Sequence, residues 1–175
     1  MIDLFPFTED DIDRLIGWIR SEDELLRWTA SSFGFPLTRE HILQHMEESA
    51  AKADRLIFKA VETETGEVRG HIELGAIDRR NSSLRIGRVL IDPDAQGRGF
   101  GAAMMRKALA IAFDQLGMHR VELSVFDVNP RAIALYERVG FQRDGMRREA
   151  FKVRDGPGGY WGDIIMSVLA AEWAG

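Results

Sequence analysis

The sequence predicts a mixed α/β fold in one domain spanning residues 1–175, with a central, mostly antiparallel sheet flanked by helices and splayed open between two parallel strands. Three observations lead there. Strand-like runs at Arg55–Glu62, Val68–Ile77 and Leu84–Ile91 follow one another, the first two joined by a turn at Thr65-Gly66 and the last two forming a hairpin. A glycine-rich turn, Gln96-Gly97-Arg98-Gly99-Phe100-Gly101, then runs straight into a helical stripe. Beyond it lie a strand at Arg120–Phe126, parallel to the strand before the turn, then a second helix, and a C-terminal hairpin over about 141–170.

The elements follow in order from local signals. Thr8 with Asp11 caps a helix carrying Ile12, Leu15, Ile16 and Ile19, and Thr38 caps another carrying Ile42, Leu43, Met46 and Ala50. Between them, Arg27–Leu37 mixes aromatics with small polar and turn residues and reads as a connector. The helix from Gly101 to about Leu116 shows Met105, Ala108, Leu109, Ala112, Phe113 and Leu116 on one stripe, opposite Arg106, Lys107, Asp114 and Gln115. In the second helix Asn129 is the cap, Pro130 fits the first position, Ala132, Leu135, Tyr136 and Val139 form the stripe, and Gly140 ends it. Gly87 inside its strand marks a bulge or a close approach. Asp155-Gly156-Pro157-Gly158-Gly159 breaks any regular element and separates the last two strands, Phe141–Arg154 and Tyr160–Leu169.

Composition narrows the function classes. A hydrophobic fraction of 45% against 29% charged is that of an ordinary globule, and the acidic N-terminus and lack of a long apolar run predict no signal, no membrane span and a cytoplasmic protein. The net charge of −5 leaves no electrostatic footprint for nucleic acid and biases toward a cationic partner. Without cysteine there is no thiol nucleophile, so any acyl transfer goes directly to its acceptor. Of the four histidines only His41 and His45 have helical ligand spacing; no matching carboxylate motif accompanies them, so they read as helix surface and no metal is expected.

The glycine turn describes a phosphate cradle: free amides at a helix N-terminus attract an anion, and glycines let the backbone approach it. The order Gln-x-x-Gly-x-Gly is neither the dinucleotide pattern nor one ending in Gly-Lys-Ser or Gly-Lys-Thr. Through Gln96, Gly99 and Gly101 it resembles the acetyl-CoA loop of the GCN5-related N-acetyltransferase superfamily. The segment Asn129–Phe141 resembles that superfamily's second cofactor block, at the expected separation. The resemblance covers roughly residues 55 to 170. The tail Tyr160–Leu169 with Glu172-Trp173 looks like the branch of RimJ/RimL-type protein acetyltransferases and polyamine acetyltransferases.

This resemblance implies an acetyl-CoA-binding core at about 84–141 and acceptor-side helices at about 8–53. The pantetheine arm would lie along the backbone of Val89, Leu90 and Ile91. Gln96, Gly97, Arg98, Gly99, Phe100, Gly101 and Ala102 would cradle the pyrophosphate, with Asn129 and Tyr136 completing the cofactor side. Arg98 is the arginine best placed for phosphate. Arg85 and Arg88 read as solvated or salt-bridged strand residues, and Arg131 either touches the cofactor or faces water. In this region of the superfamily the connector often selects substrate, which makes Trp28, Phe33 and Phe35 acceptor-site candidates. A homodimer is also compatible with the resemblance.

The chemistry implied is attack of a primary amine, from a small molecule or a peptide N-terminus, on a thioester. A non-catalytic acyl-CoA sensor is the alternative. Tyr136 matches the superfamily's general acid; a phenol of pKa about 10 must protonate a thiolate whose thiol lies at about 8.5. A packed core aromatic is the plain alternative. An alkylammonium near pKa 10.4 must lose a proton before it attacks, at about neutral pH. Glu73 is the candidate base, and it and His71, on the same strand face, are also candidates to meet the acceptor; a solvated strand edge would give the same pattern. In alanine-specific ribosomal-protein acetyltransferases a catalytic glutamate stands where this chain has Ser124, so that base does not carry over.

Overall fold

The computed structural model describes residues 1–153 and 159–175. The loop expected at 155–159 falls, except for Gly159, outside the described residues. Seven strands form one sheet: β1 (Ile2–Pro6), β2 (Leu56–Glu62), β3 (Val68–Asp78), β4 (Ser83–Ile91), β5 (Arg120–Phe126), β6 (Gln142–Lys152) and β7 (Tyr160–Leu169), in the order β1-β2-β3-β4-β5-β7-β6. Every neighbouring pair is antiparallel except β4 and β5. These two are parallel and paired only through Ser83–Arg85 against Arg120–Glu122, after which they diverge. The mixed, splayed sheet is therefore present as the sequence predicts.

Helices cover both faces. On one face α4 (Phe100–Ala110), which runs on as a π-helical turn over Ile111–Gln115, and α5 (Pro130–Val139) bury Met104, Met105, Leu109, Ile133 and Tyr136 against Ile72, Leu74, Leu84, Ile86, Val121 and Leu123. An 11-residue helix is marginal alone. Full burial of side chains such as Met104, Met105 and Leu109 contributes about 1.5–3 kcal/mol each, so packing rather than propensity holds α4 in place. On the other face α1 (Ile12–Gly17), α2 (Glu22–Thr29) and α3 (Arg39–Lys52) gather Phe7, Ile12, Leu15, Leu25, Trp28 and Ile42 into a second core. No helix among the described residues is long and apolar enough to cross a membrane.

Two elements go beyond the sequence reading. Strand β1 pairs with β2 at the sheet edge, its Ile2 buried, and the N-terminal segment is thus part of the sheet rather than only an acidic lead-in. Helix α2 takes the first residues of the expected connector; Ser21 caps it by accepting from the Glu24 N-H at 3.2 Å, and Glu22, Asp23 and Glu24 complement the helix dipole.

The bulge expected at Gly87 is present, with Arg88 rather than the glycine in the left-handed region, at φ 47°. Across it His71 pairs with Leu90 but Glu73 with Gly87, so β4 carries one extra residue. The insertion reverses side-chain parity: Leu84 and Ile86 before it and Val89 and Ile91 after it all pack on the α4 core. Leu90 joins the second core, and Arg88 turns to Glu73 on that same face.

Candidate active site

Where β4 and β5 part, a cleft of about 940 Å³ opens between the two faces of the sheet. Its walls are Val89, Leu90 and Ile91 on one side and Leu123, Ser124, Val125 and Phe126 on the other. Gln96, Gly97, Gly99, Phe100, Gly101, Ala102, Asn129 and Tyr136 line the α4–α5 end, and Arg27, Trp28, Arg55 and Arg88 line the α2 end.

The cradle at the first end follows from backbone conformation. Gly99, at φ 86°, is the N-cap of α4, a geometry that an L side chain would strain. No side chain caps this terminus, so the first-turn amides are left for a ligand. Arg131 crosses the loop, its Nη1 donating to Gln96 Oε1 at 3.1 Å. Arg98 does not line the cleft: its guanidinium donates to the buried Glu62 at 3.1 Å and covers the Phe100 ring at 4.8 Å. Arg131 rather than Arg98 therefore crosses the cradle loop, and the expected role of Arg98 is limited to its backbone. These groups suit a pyrophosphate: free amides, glycines that leave room, and the Arg131 guanidinium.

Tyr136 reaches the cleft from α5, whose Asn129 cap accepts from the Ala132 N-H at 3.1 Å and whose Gly140 terminates it at φ 112°. The phenol makes no hydrogen bond among the described residues. Burial pushes it up to about 12, so the hydroxyl stays protonated at neutral pH.

At the other end a buried ionic cluster stands beneath the cleft wall. Glu73 is 1% exposed and does not line the cleft. Its Oε2 accepts from Nη1 of Arg55 and Nη1 of Arg88, both at 2.8 Å. Nε2 of His45 lies 3.0 Å from Oε1 and Nε2 of His71 lies 3.3 Å from it; beside a carboxylate each imidazole presents an N-H. Burial alone would raise the Glu73 carboxyl, but the hydrogen bonds from His45 and His71 and the charge of Arg88 outweigh it and hold the carboxyl well below its usual range. His45 thus turns inward rather than lying on the helix surface. The two guanidiniums repel a metal ion here, and no group of three or more His, Asp or Glu among the described residues is placed to hold one.

The aromatic candidates divide. Trp28 lines the cleft and meets the His71 ring edge-on at 5.5 Å. Phe33 lines an adjoining cavity of about 410 Å³, beneath the Arg88 guanidinium at 5.2 Å. Phe35 is 48% exposed and lines neither. Residues that sequence reading did not single out also reach the cleft: Arg27, Arg55, and the Arg147–Asp163 ion pair. Only its place at the start of a predicted strand marked Arg55, and that signal alone does not place a side chain.

The cradle at the N-terminus of a helix, the splayed parallel pair and the buried phenol thus meet in one cleft. The acetyltransferase (GNAT) family model matches residues 22–141, and the chain belongs to that family. The SPbeta prophage-derived uncharacterized N-acetyltransferase YokL of Bacillus subtilis is 29% identical over 152 residues, covering 87% of this chain and 82% of that protein. The spermidine N(1)-acetyltransferase of Vibrio cholerae is 35% identical over 82 residues, 47% of each chain. A solved structure of spermidine N-acetyltransferase from Vibrio cholerae, in complex with CoA and spermine, superposes with a TM-score of 0.85 over 98% of this chain and 96% of that one, at 20% identity, a likeness of fold.

Proposed function

We propose that the protein transfers the acetyl group of acetyl-CoA directly to a small primary amine while both are bound. The observation that carries this is the unpartnered, protonated Tyr136 hydroxyl in the same cleft as a phosphate cradle. Acetyl-CoA supplies the activated thioester. The amides that begin α4, with Gln96 and Arg131, hold its pyrophosphate, and the backbone of Val89 to Ile91 orients its arm at the open edge of β4. The Tyr136 hydroxyl gives its proton to the sulfur as the carbon–sulfur bond breaks and the carbon–nitrogen bond forms.

Glu73 takes a different role in this proposal from the base expected of it. Its oxygens already accept from four side chains, its basicity is depressed, and it lies behind the wall. It anchors Arg55 and Arg88, and the amine sheds its proton to water. The test is release of free CoA thiol from acetyl-CoA with a panel of primary amines. Amine-dependent release is the expected result; acetyl-CoA binding with no release on any amine would leave the protein an acyl-CoA-binding module.

A further inference from the structure

We propose that the acceptor is a primary amine that also carries an anionic group, carboxylate or phosphate, and that Arg55 and Arg88 seat that anion. The inference rests on the cleft being the transfer site. The protein carries a net charge of −5, yet its cleft has the opposite sign: eight arginines line it, against one carboxylate, Asp163. Three of those arginines, Arg106, Arg131 and Arg138, belong to the cradle end on α4 and α5.

Internal pairing accounts for most of the rest. Arg27 is matched by Asp23 at 2.8 Å, Arg147 by Asp163, and Arg85 faces Glu122 at 3.8 Å. Arg55 and Arg88 differ, because two guanidiniums share the single carboxylate of Glu73. One positive charge is left over at the cleft wall.

The surplus is also one of donors. Each guanidinium carries five N-H groups, and Glu73 takes one from each. Nε of Arg88 and Nε1 of Trp28 have no acceptor among the described residues. A planar pair of such forks matches a carboxylate or phosphate and repels an ammonium. The carboxylates of the adjoining cavity, Glu48 and Asp54, do not line the cleft itself. A polyamine, with no acceptor atoms and several positive charges, meets none of these demands.

Matched probes test this. Binding of 4-aminobutyrate, 4-aminobutanamide, 2-aminoethyl phosphate, ethanolamine and spermidine to the enzyme–CoA complex is measured by calorimetry, alongside thiol release with acetyl-CoA. The expected result is at least about tenfold tighter binding and lower KM for an anionic amine than for its neutral partner, a ratio that falls toward one in Arg88→Gln and Arg55→Gln while acetyl-CoA affinity holds. The carboxylate and phosphate arms tell the two anions apart. Arg55→Gln leaves Glu73 with Arg88, His45 and His71, so it keeps the test open if Arg88→Gln fails to fold. Equal handling of each pair, a preference for spermidine, or failure of both anionic probes to bind would overturn the inference. Anion-selective binding without thiol release would instead support it and count against the transfer reaction.

Discussion

Arg55 and Arg88 donate to the same oxygen of Glu73, each at 2.8 Å, from the residue before β2 and from the bulge of β4. One buried carboxylate thus fixes two side chains that come from strands on either side of β3. Removing the charge leaves both guanidiniums uncompensated beside a fully buried side chain. Glu73→Gln should destabilise the fold by about 3–5 kcal/mol, measured by urea denaturation at neutral pH. A loss below about 1 kcal/mol would mean that the cluster is solvated enough to dispense with its anion.

The same carboxylate sets part of the acid sensitivity. Its folded pKa lies well below the ordinary 4.5, so the unfolded chain binds the proton more readily. The stability it contributes is fully present above 4.5 and is lost as pH falls through the folded value. Urea midpoints of the wild type should therefore drop more steeply below about pH 4.5 than those of Glu73→Gln. Parallel curves would remove Glu73 from the account of acid unfolding.

Tyr136→Phe should lower turnover at least about tenfold, near 1.4 kcal/mol of transition-state stabilisation, with little change in acetyl-CoA affinity. The pH profile adds a second check. With the phenol pushed up to about 12, turnover should show no decline from tyrosine ionisation on the alkaline side below about pH 10. An unaltered turnover number in the Phe variant would sink the acid role.

Cradle removal should act on the cofactor alone. Gly99 sits at φ 86° with open space where a Cβ would go, so Gly99→Ala is strained by conformation rather than by contact. Its expected cost is about 1–2 kcal/mol, together with weaker acetyl-CoA binding. Titration of acetyl-CoA into the variant checks this, and undiminished affinity would place the pyrophosphate elsewhere.

The cradle end of the cleft was legible because its signals are local. A glycine at a helix cap, an Asn-Pro start and a Gly stop all act within a few residues, and they located Gly99, Asn129, Tyr136 and Gly140. The α2 end is assembled by convergence. His45 on α3 and Arg88 on β4 stand 28 and 15 residues from Glu73, and only the bulge parity turns Arg88 onto their face. Arg98 shows the same limit, since its direction is set by Glu62, 36 residues away. A local signal for one missed element was present, Ser21-x-x-Glu24 at the start of α2, whereas burial along β1 falls off from Ile2 to Pro6 without alternation.

Gly75 offers the most selective probe of the acceptor wall. A Cβ there would stand 2.6 Å from Nη1 of Arg55, so the bare backbone of β3 is what lets that guanidinium cross to Glu73. The obstacle is the far end of a flexible side chain, and Gly75→Ala should be met by Arg55 swinging outward rather than by a backbone shift. The fold should then lose little, because Arg88, His45 and His71 still hold the carboxylate. Acceptor KM should rise about fivefold or more, with acetyl-CoA affinity and the Tyr136-dependent step unchanged. Steady-state kinetics at saturating acetyl-CoA would show it, and an unchanged acceptor KM would detach Arg55 from substrate recognition.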